Sequence, residues 1–312
     1  MKKVVKHPKV TIVIPTVYGD KKPLECIKSI NKLTYPQNKI QIVLIDNNSP
    51  DKSFIKLKKL FPKIITISNK SNIGFPRAVN QGIKASTSDY YFITNDDIIF
   101  EKESLKILIS FAQDNPNTGI CGGKQLSPKT KRFLAGGRNF SFYTGLQKNV
   151  NSSVLPISCD QIDGCTMLIK KEVIKKIGLF DEGFSPIYSE DLDYCLRAKI
   201  SGFDIIFNPK ALFYHHHAYT TSKTSLFNLY YLGFRNKIRI FIKHANFFQF
   251  LSFIIIHYVF ILPARLIIRR EPILLPAIKA IIWNIQNLQS TRKAKKGVQI
   301  LKKSAIITAT KS

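Results

Sequence analysis

Residues Asp89–Phe100 read DYYFITNDDIIF, an apolar and aromatic run that halts at Asp96 and Asp97 before a second apolar run begins. Its β-branched and aromatic content is that of a strand buried on both faces, and the two acids stand at its carboxyl end. Working back toward the N-terminus, the same kind of run recurs in VTIVIPTV (10–17), IQIVLIDNN (40–48) and KIITIS (63–68). Between these runs PLECIKSINKL, SPDKSFIKLKKLF and FPRAVNQGIKAS carry apolar residues at helical spacing. Parallel strands need crossovers, which helices supply, so the alternation predicts an α/β fold with a largely parallel sheet covered by helices. Ligands of such sheets gather at the carboxyl ends of the strands, where Asp46 and the pair Asp96/Asp97 both fall.

Downstream, the pattern weakens between about Gly119 and Cys159 into Gly-rich, irregular sequence. GCTMLIKKEVIKKIGLFDEGF (164–184) resumes it with a strand and a short helix. SEDLDYCLRAKISGF (189–203) reads as a helix with Ser189 as N-cap, Gly202 as its stop and Leu192, Cys195 and Leu196 facing inward. FDIIFNP and ALFYHHH look like two further short strands. After Thr221 the composition turns aromatic, aliphatic and basic. In LFNLYYLGFRNKIRIFIKHA, Arg235, Arg239 and Lys243 fall at i, i+4, i+8 as one basic stripe on an amphipathic helix. FFQFLSFIIIHYVFILPARLII (247–268) is about as long as a bilayer span but is interrupted by Gln249, His257, Pro263 and Arg265, which favours an in-plane or re-entrant segment.

The 312 residues can bury a sizeable core. Five scattered cysteines without a CxxC pair indicate neither a disulfide framework nor a zinc site, and a reducing cytosol fits. The basic N-terminus leads into an apolar run too short, and too soon broken by Pro15, for a signal peptide. The net charge of +28 calls for a polyanionic partner. From Thr221 onward sixteen Lys or Arg face one acid, Glu271, so the tail and the remainder of the chain are expected to meet different partners.

Several acids have two readings each. Asp96 and Asp97 could simply end a strand and lead into the next helix. Two like charges side by side at the mouth of a buried strand are tolerated at lower cost, however, if a divalent cation with oxygen ligands joins them and is shared with substrate phosphates. Glu190, Asp191 and Asp193 suit the first turn of a helix by the macrodipole alone. Their aromatic and Pro-containing flank, FSPIYSEDLDYC, would also desolvate a carboxylate toward a general base. Asp46 either makes an Asx turn or accepts a hydrogen bond from a base or ribose. No Gly-rich phosphate loop is present, so a diphosphate would rely on metal and carboxylate. Of His215, His216 and His217, alternate residues of a strand share a face, which leaves one metal ligand at most.

In order and spacing these pieces resemble the family 2 glycosyltransferases of the GT-A fold, most of all their rhamnosyltransferase-like branch, from about Val10 to Thr221. TIVIPT is similar to the opening strand at the nucleotide pocket. VLIDNNSPD is similar to the second strand with its base-binding aspartate, NIGFPRAVNQGI to the N-x-G loop and helix, TNDD to the DxD-type motif, and YSEDLDYCLR to the catalytic ED motif. The resemblance implies a Rossmann-like mixed sheet flanked by helices over residues 1–221, with a donor half to about 118 and an acceptor half from about 119. It implies a basic, aromatic-rich helical tail at 222–312. Pro15, Thr16, Asp46, Asn72, Gly74, Asn80 and Asp96 become donor-binding candidates. Asp97 and Asp96, with His215 as a further candidate, become ligands of Mg2+ or Mn2+, and Asp191, with Glu190 beside it, the base of an inverting sugar transfer from a nucleoside-diphosphate sugar.

The basic amphipathic tail adds an anionic membrane surface as partner, a lipid-linked or cell-envelope glycan as acceptor, and a peripheral place on the cytosolic face of the membrane. Packing of the tail on the catalytic domain, or dimerisation through it, is the alternative. A nucleotidyltransferase lacks its Gly-rich loop here, and a nucleic-acid binder would not carry the long aliphatic run from Phe250 to Ile268.

Overall fold

The computed structural model describes residues 7–17, 21–50, 53–150, 154–216 and 225–309. The expected boundary at 221/222 and His217 lie outside them. Strands are β1 Val10–Thr16, β2 Ile40–Asp46, β3 Ile65–Ser68, β4 Tyr90–Thr94, β5 Ile98–Phe100, β6 Thr118–Leu126, β7 Phe133–Ala135, β8 Gly137–Phe140, β9 Gln147–Asn149, β10 Ile157–Ser158, β11 Gln161–Ile162, β12 Thr166–Lys170 and β13 Asp204–His215. Helices are α1 Lys21–Ile30, α2 Ser53–Leu60, α3 Phe75–Lys84, α4 Ser104–Asp114, α5 Lys171–Ile177, α6 Glu190–Ile200, α7 Leu226–His244, α8 Phe247–Ile254, α9 Leu262–Ile267, α10 Leu274–Gln286 and α11 Leu288–Ala309.

The main sheet runs β10-β13-β6-β12-β4-β1-β2-β3, with β5 and β7 paired off this path. β1 through β4 are mutually parallel where they pair, as the crossover argument requires, and β12 enters antiparallel between β4 and β6. Alternate residues of β1 feed two cores. Ile12 and Ile14 pack with α1 and α4, while Val13 packs with α3, α5 and α6. Burial on both faces is why these strands read as continuous apolar runs.

Two readings of the middle of the chain are corrected. The Gly-rich stretch is the nine-residue strand β6, central in the sheet. Its glycines serve close packing: a Cβ on Gly122 would sit 2.2 Å from Ile162 Cγ2. FDIIFNP and ALFYHHH form one strand, β13, whose pairing with β6 slips between Asn208 and Leu212. Pro209 has no N–H to offer the ladder, and the bulge carries the strand past it.

The basic stripe of α7 is corrected too. Arg235, Arg239 and Lys243 are buried, turned toward the sheet domain and away from solvent. Lys243 lies 2.8 Å from Asp181 and 2.6 Å from Asp193 of α6, Arg239 lies 2.9 Å from Asp181, and His244 and Arg197 complete the shell around Asp193 at 2.7 and 2.9 Å. Burial by itself would raise the Asp193 carboxyl, but Lys243, Arg197 and His244 hold it well below the ordinary range. The exposed side of this region is apolar instead. The helical run Phe247–Ile267, continuous through a π-turn at Ile255–Ile261, has a mean hydropathy of 2.0 with 11% of that window buried, so it is long and apolar enough to cross a membrane.

The five cysteines are buried and unpaired, and burial pushes every thiol up, those of Cys121 and Cys159 to about 12. Because the thiolate is the reactive form, native protein at pH 8 is expected to react with none of them in a thiol-disulfide colour assay, and denatured protein with all five. Asp193→Asn should cost roughly 3–5 kcal/mol in urea unfolding near neutral pH, since it strands buried cations. A depressed carboxyl contributes stability above its unfolded pKa and loses it as pH falls. The gap between variant and parent should therefore close as the pH drops below about 4.

Candidate active site

A cavity of about 610 Å³ lies over the carboxyl ends of β1, β2 and β4 and the N-terminus of α6. Of the residues singled out in the sequence, Pro15, Asn72, Gly74, Asp96, Glu190, Asp191 and His215 line it. Thr16 stands just behind, its hydroxyl donating to Asp96 Oδ2 at 2.5 Å and so tying the ends of β1 and β4 together. Asp46 is held back from the wall: its carboxylate accepts from Ser49 N at 2.8 Å and Ser68 Oγ at 3.4 Å, and the next residue, Asn47, reaches the cavity. Asn80 is turned elsewhere. Its amide exchanges hydrogen bonds with the backbone of Phe180, at 2.9 and 3.0 Å, and donates to Glu182 at 3.1 Å, bracing α3 against the turn before α6.

Asn72 Oδ1 accepts from Gly74 N at 2.9 Å and shapes the turn into α3. Gly74 has φ +87, and a Cβ there would meet Pro186 Cα at 2.7 Å. Only glycine combines that backbone with so close an approach. The neighbouring amide, Phe75 N, donates to Pro186 O at 2.7 Å, so the donor-side turn and the loop ahead of α6 form one wall.

Asp97 and His215 meet at the base of the site, with His215 Nε2 lying 3.3 Å from Asp97 Oδ1. The tautomer of His215 can be read from its other neighbours. Gln125 Nε2 donates to Asp163 Oδ2 at 3.2 Å, which leaves Gln125 Oε1 to face His215 Nδ1 at 2.9 Å. Nδ1 is therefore the protonated nitrogen, and in the neutral ring Nε2 presents a lone pair to a carboxylate oxygen. Two acceptors at that distance make no hydrogen bond, and Asp97 Oδ1 is accordingly buried without a hydrogen-bond partner. A second ring proton on Nε2, or a metal cation beside the two atoms, resolves the contact. One carboxylate oxygen and one imidazole nitrogen, with water and phosphate oxygens completing the shell, fit Mg2+ or Mn2+. Among the described residues no cluster of three or more His, Cys, Asp or Glu makes a self-sufficient metal cage.

The other side of the cavity is acidic in two registers. Asp191 is aimed by backbone amides, Oδ2 accepting from Gly164 N at 3.2 Å and Oδ1 from Leu192 N at 2.8 Å. Glu190 is buried, its Oε2 has no partner, and burial followed by the charge of Asp191 raises its carboxyl well above the usual range. An aspartate aimed by backbone amides beside a carboxyl of raised pKa is a combination suited to taking a proton from a hydroxyl. Asp163, below them, is raised to about 6 by burial, against the pull of Arg138.

Ser189 is the N-cap of α6 as expected, but its backbone has φ +67 and its side chain makes no capping hydrogen bond. The loop before α6 is held by α7 instead. Asn236 Nδ2 lies 3.1, 2.8 and 2.8 Å from the carbonyls of Phe184, Ile187 and Tyr188, and Arg235 donates to those of Phe184 and Ser185 at 3.3 and 2.5 Å. Asn228, Tyr231, Leu232 and Arg235 also line the cavity. Sequence reasoning passed over Arg138, Gln125, Tyr188 and Asn236. The one available signal was an Asn and Arg placed mid-helix in an otherwise apolar segment.

The glycosyl transferase family 2 profile matches residues 11–178. An uncharacterized glycosyltransferase of Rickettsia bellii is 30% identical over 189 residues, 60% of this chain and 27% of the relative, so the chain spans little more than a quarter of that protein's length. Among solved structures, GalNAc-T7 with UDP, GalNAc and Mn2+ superposes with a TM-score of 0.63 at 15% identity, covering 78% of this chain and 49% of that one. S. aureus TarS 1-349 in complex with UDP-GlcNAc gives 0.61 at 16% identity over 95% and 91%. The backbone likeness makes the fold GT-A, and with a profile match over more than half of its length the chain belongs to glycosyl transferase family 2.

Proposed function

We propose that this chain is a divalent-metal-dependent, inverting glycosyltransferase that moves a sugar from a nucleoside-diphosphate sugar to an acceptor hydroxyl. The observation that carries the reading is the convergence on one cavity of His215, backed by the buried Asp97 at 3.3 Å, and of Asp191, held by two amides. UDP-GlcNAc in TarS 1-349, and UDP, GalNAc and Mn2+ in GalNAc-T7, support the donor class and the metal.

Asp97 and His215 would hold the metal, and Asp96, fixed by Thr16, would contact the ion or the ribose. Bound there, the ion neutralises charge on the departing diphosphate. Pro15, Asn47, Asn72 and Gly74 line the donor's place, and Asp46 acts on it by holding the Ser49 turn. Asp191 takes the proton of the acceptor hydroxyl as its oxygen bonds to the anomeric carbon. The bond from that carbon to the diphosphate breaks, its electron pair leaves with the nucleoside diphosphate, and a single displacement inverts the centre. Glu190, whose carboxyl burial raises, lies beside Asp191 in the same cavity.

The acceptor is a lipid-linked or cell-envelope glycan at the cytosolic face of a membrane, and the apolar side of α8 to α10 rests on that membrane. Phe247, Phe248, Ile267 and Ile268 are each more than 70% exposed, surface that lipid would cover.

In thermal-shift screens of UDP-, dTDP- and GDP-sugars, one donor should raise the melting temperature with Mn2+ and lose that effect in chelator. Asp97→Asn should abolish the metal-dependent part. Asp191→Asn should bind donor normally and lose roughly 10²–10⁴ in turnover; near-normal transfer would remove Asp191 from its role. Replacing Phe247 and Phe248 by serine should weaken flotation with phosphatidylglycerol-containing vesicles at least tenfold, since a buried Phe contributes roughly 1.5–3 kcal/mol. Unchanged flotation would refute the membrane assignment.

A further inference from the structure

A second cavity, of about 260 Å³, lies behind Glu190 and Asp191. It shares Arg138, Tyr188, Glu190 and Asp191 with the main cavity and is closed on its far side by Gly233, Lys237 and Ile240, one face of α7. Gln147 and Gln161 supply neutral polar groups in the same wall. Lys237 differs from the other cations of its helix. Arg239 and Lys243 are paired with carboxylates and Arg235 with backbone carbonyls, whereas among the described residues Lys237 makes no ion pair, and Glu190 and Asp191 are the carboxylates that share its cavity. Burial, followed by the like charge of Arg265, pulls its ammonium down to about 8. A partly buried cation whose charged neighbour is another cation is costly unless an anion joins it.

We infer that this second cavity is the acceptor's anionic subsite, taking a phosphate group carried by the acceptor against Lys237 and Arg138 while the acceptor hydroxyl lies at Asp191. The inference rests on the glycosyltransferase reading and names the acceptor's chemical class. Both cations fit phosphate, the ammonium as a point charge and the guanidinium through the donors that Asp163 leaves over. Glu190 and Asp191 share that wall, and burial raises the Glu190 carboxyl well above the usual range. The phosphate could belong to a lipid headgroup or to a soluble phosphoglycan.

The test is isothermal titration of the full chain, first saturated with Mn2+ and whichever nucleoside diphosphate stabilises it, using sn-glycerol 3-phosphate, neutral glycerol and dihexanoyl phosphatidic acid. Glycerol 3-phosphate should bind and glycerol should not. Lys237→Gln should weaken phosphate binding tenfold or more, Lys237→Arg should restore it, and nucleotide binding should be equal in all three proteins. Lys237→Gln removes an unpaired buried charge and should fold at least as stably as the parent. Tighter binding of the lipid than of glycerol 3-phosphate assigns the phosphate to a lipid, and equal binding to a soluble acceptor. Phosphate binding that survives Lys237→Gln unchanged, or no phosphate binding while nucleotide binds, overturns the subsite. Failure of every nucleotide to bind with Mn2+ overturns the glycosyltransferase reading on which it stands.

Discussion

The architecture depends on a buried exchange of charge between α6 and α7. Asp193 and Asp181 on one side, and Lys243, Arg239 and His244 on the other, are nearly sealed from water. Removing Asp193 leaves Lys243 and Arg197 short of a counter-charge, so the two helices hold a single registry. That registry matters because α6 carries Glu190 and Asp191 at its first turn, where Gly164 aims one carboxylate and burial raises the pKa of the other. One turn of helix separates the charge lock from the reacting groups.

The same helix pair explains how an irregular loop can be rigid without regular structure of its own. The carbonyls of Phe184, Ser185, Ile187 and Tyr188 have no strand or helix to satisfy them, and Arg235 and Asn236 do so from the side. Buried carbonyls need partners, and here the partners come from about fifty residues downstream. On the opposite wall Gly74 meets Pro186 with no room for a side chain. Donor-side turn, loop and α7 are thus packed as consecutive layers around one space.

Most of the sheet was legible because parallel strands buried on both faces leave continuous apolar runs, and because Asp96 and Asp97 interrupt one of them where a strand must end. Pro15, Asn72, Gly74, Asp96, Glu190, Asp191 and His215 were found through motif spacing, and the fold brings them to one cavity. The misreadings share a cause. β6 looked irregular because its glycines answer to distant residues, Gly119 to Phe203, Gly122 to Ile162 and Gly123 to Phe213. The stripe on α7 looked solvent-facing because the acids that neutralise it lie on α6 and before it. Asn80 looked like a ligand contact because its true partners, Phe180 and Glu182, are a hundred residues distant. Local pattern reports a residue's type and period, and long-range pairing decides which way it faces.

The conserved profile ends at residue 178, yet Pro186 to Asp191 and Asn228 to Arg235 form the far half of the cavity. Two chains alike throughout the matched segment can therefore present unlike surfaces to whatever enters opposite the donor side.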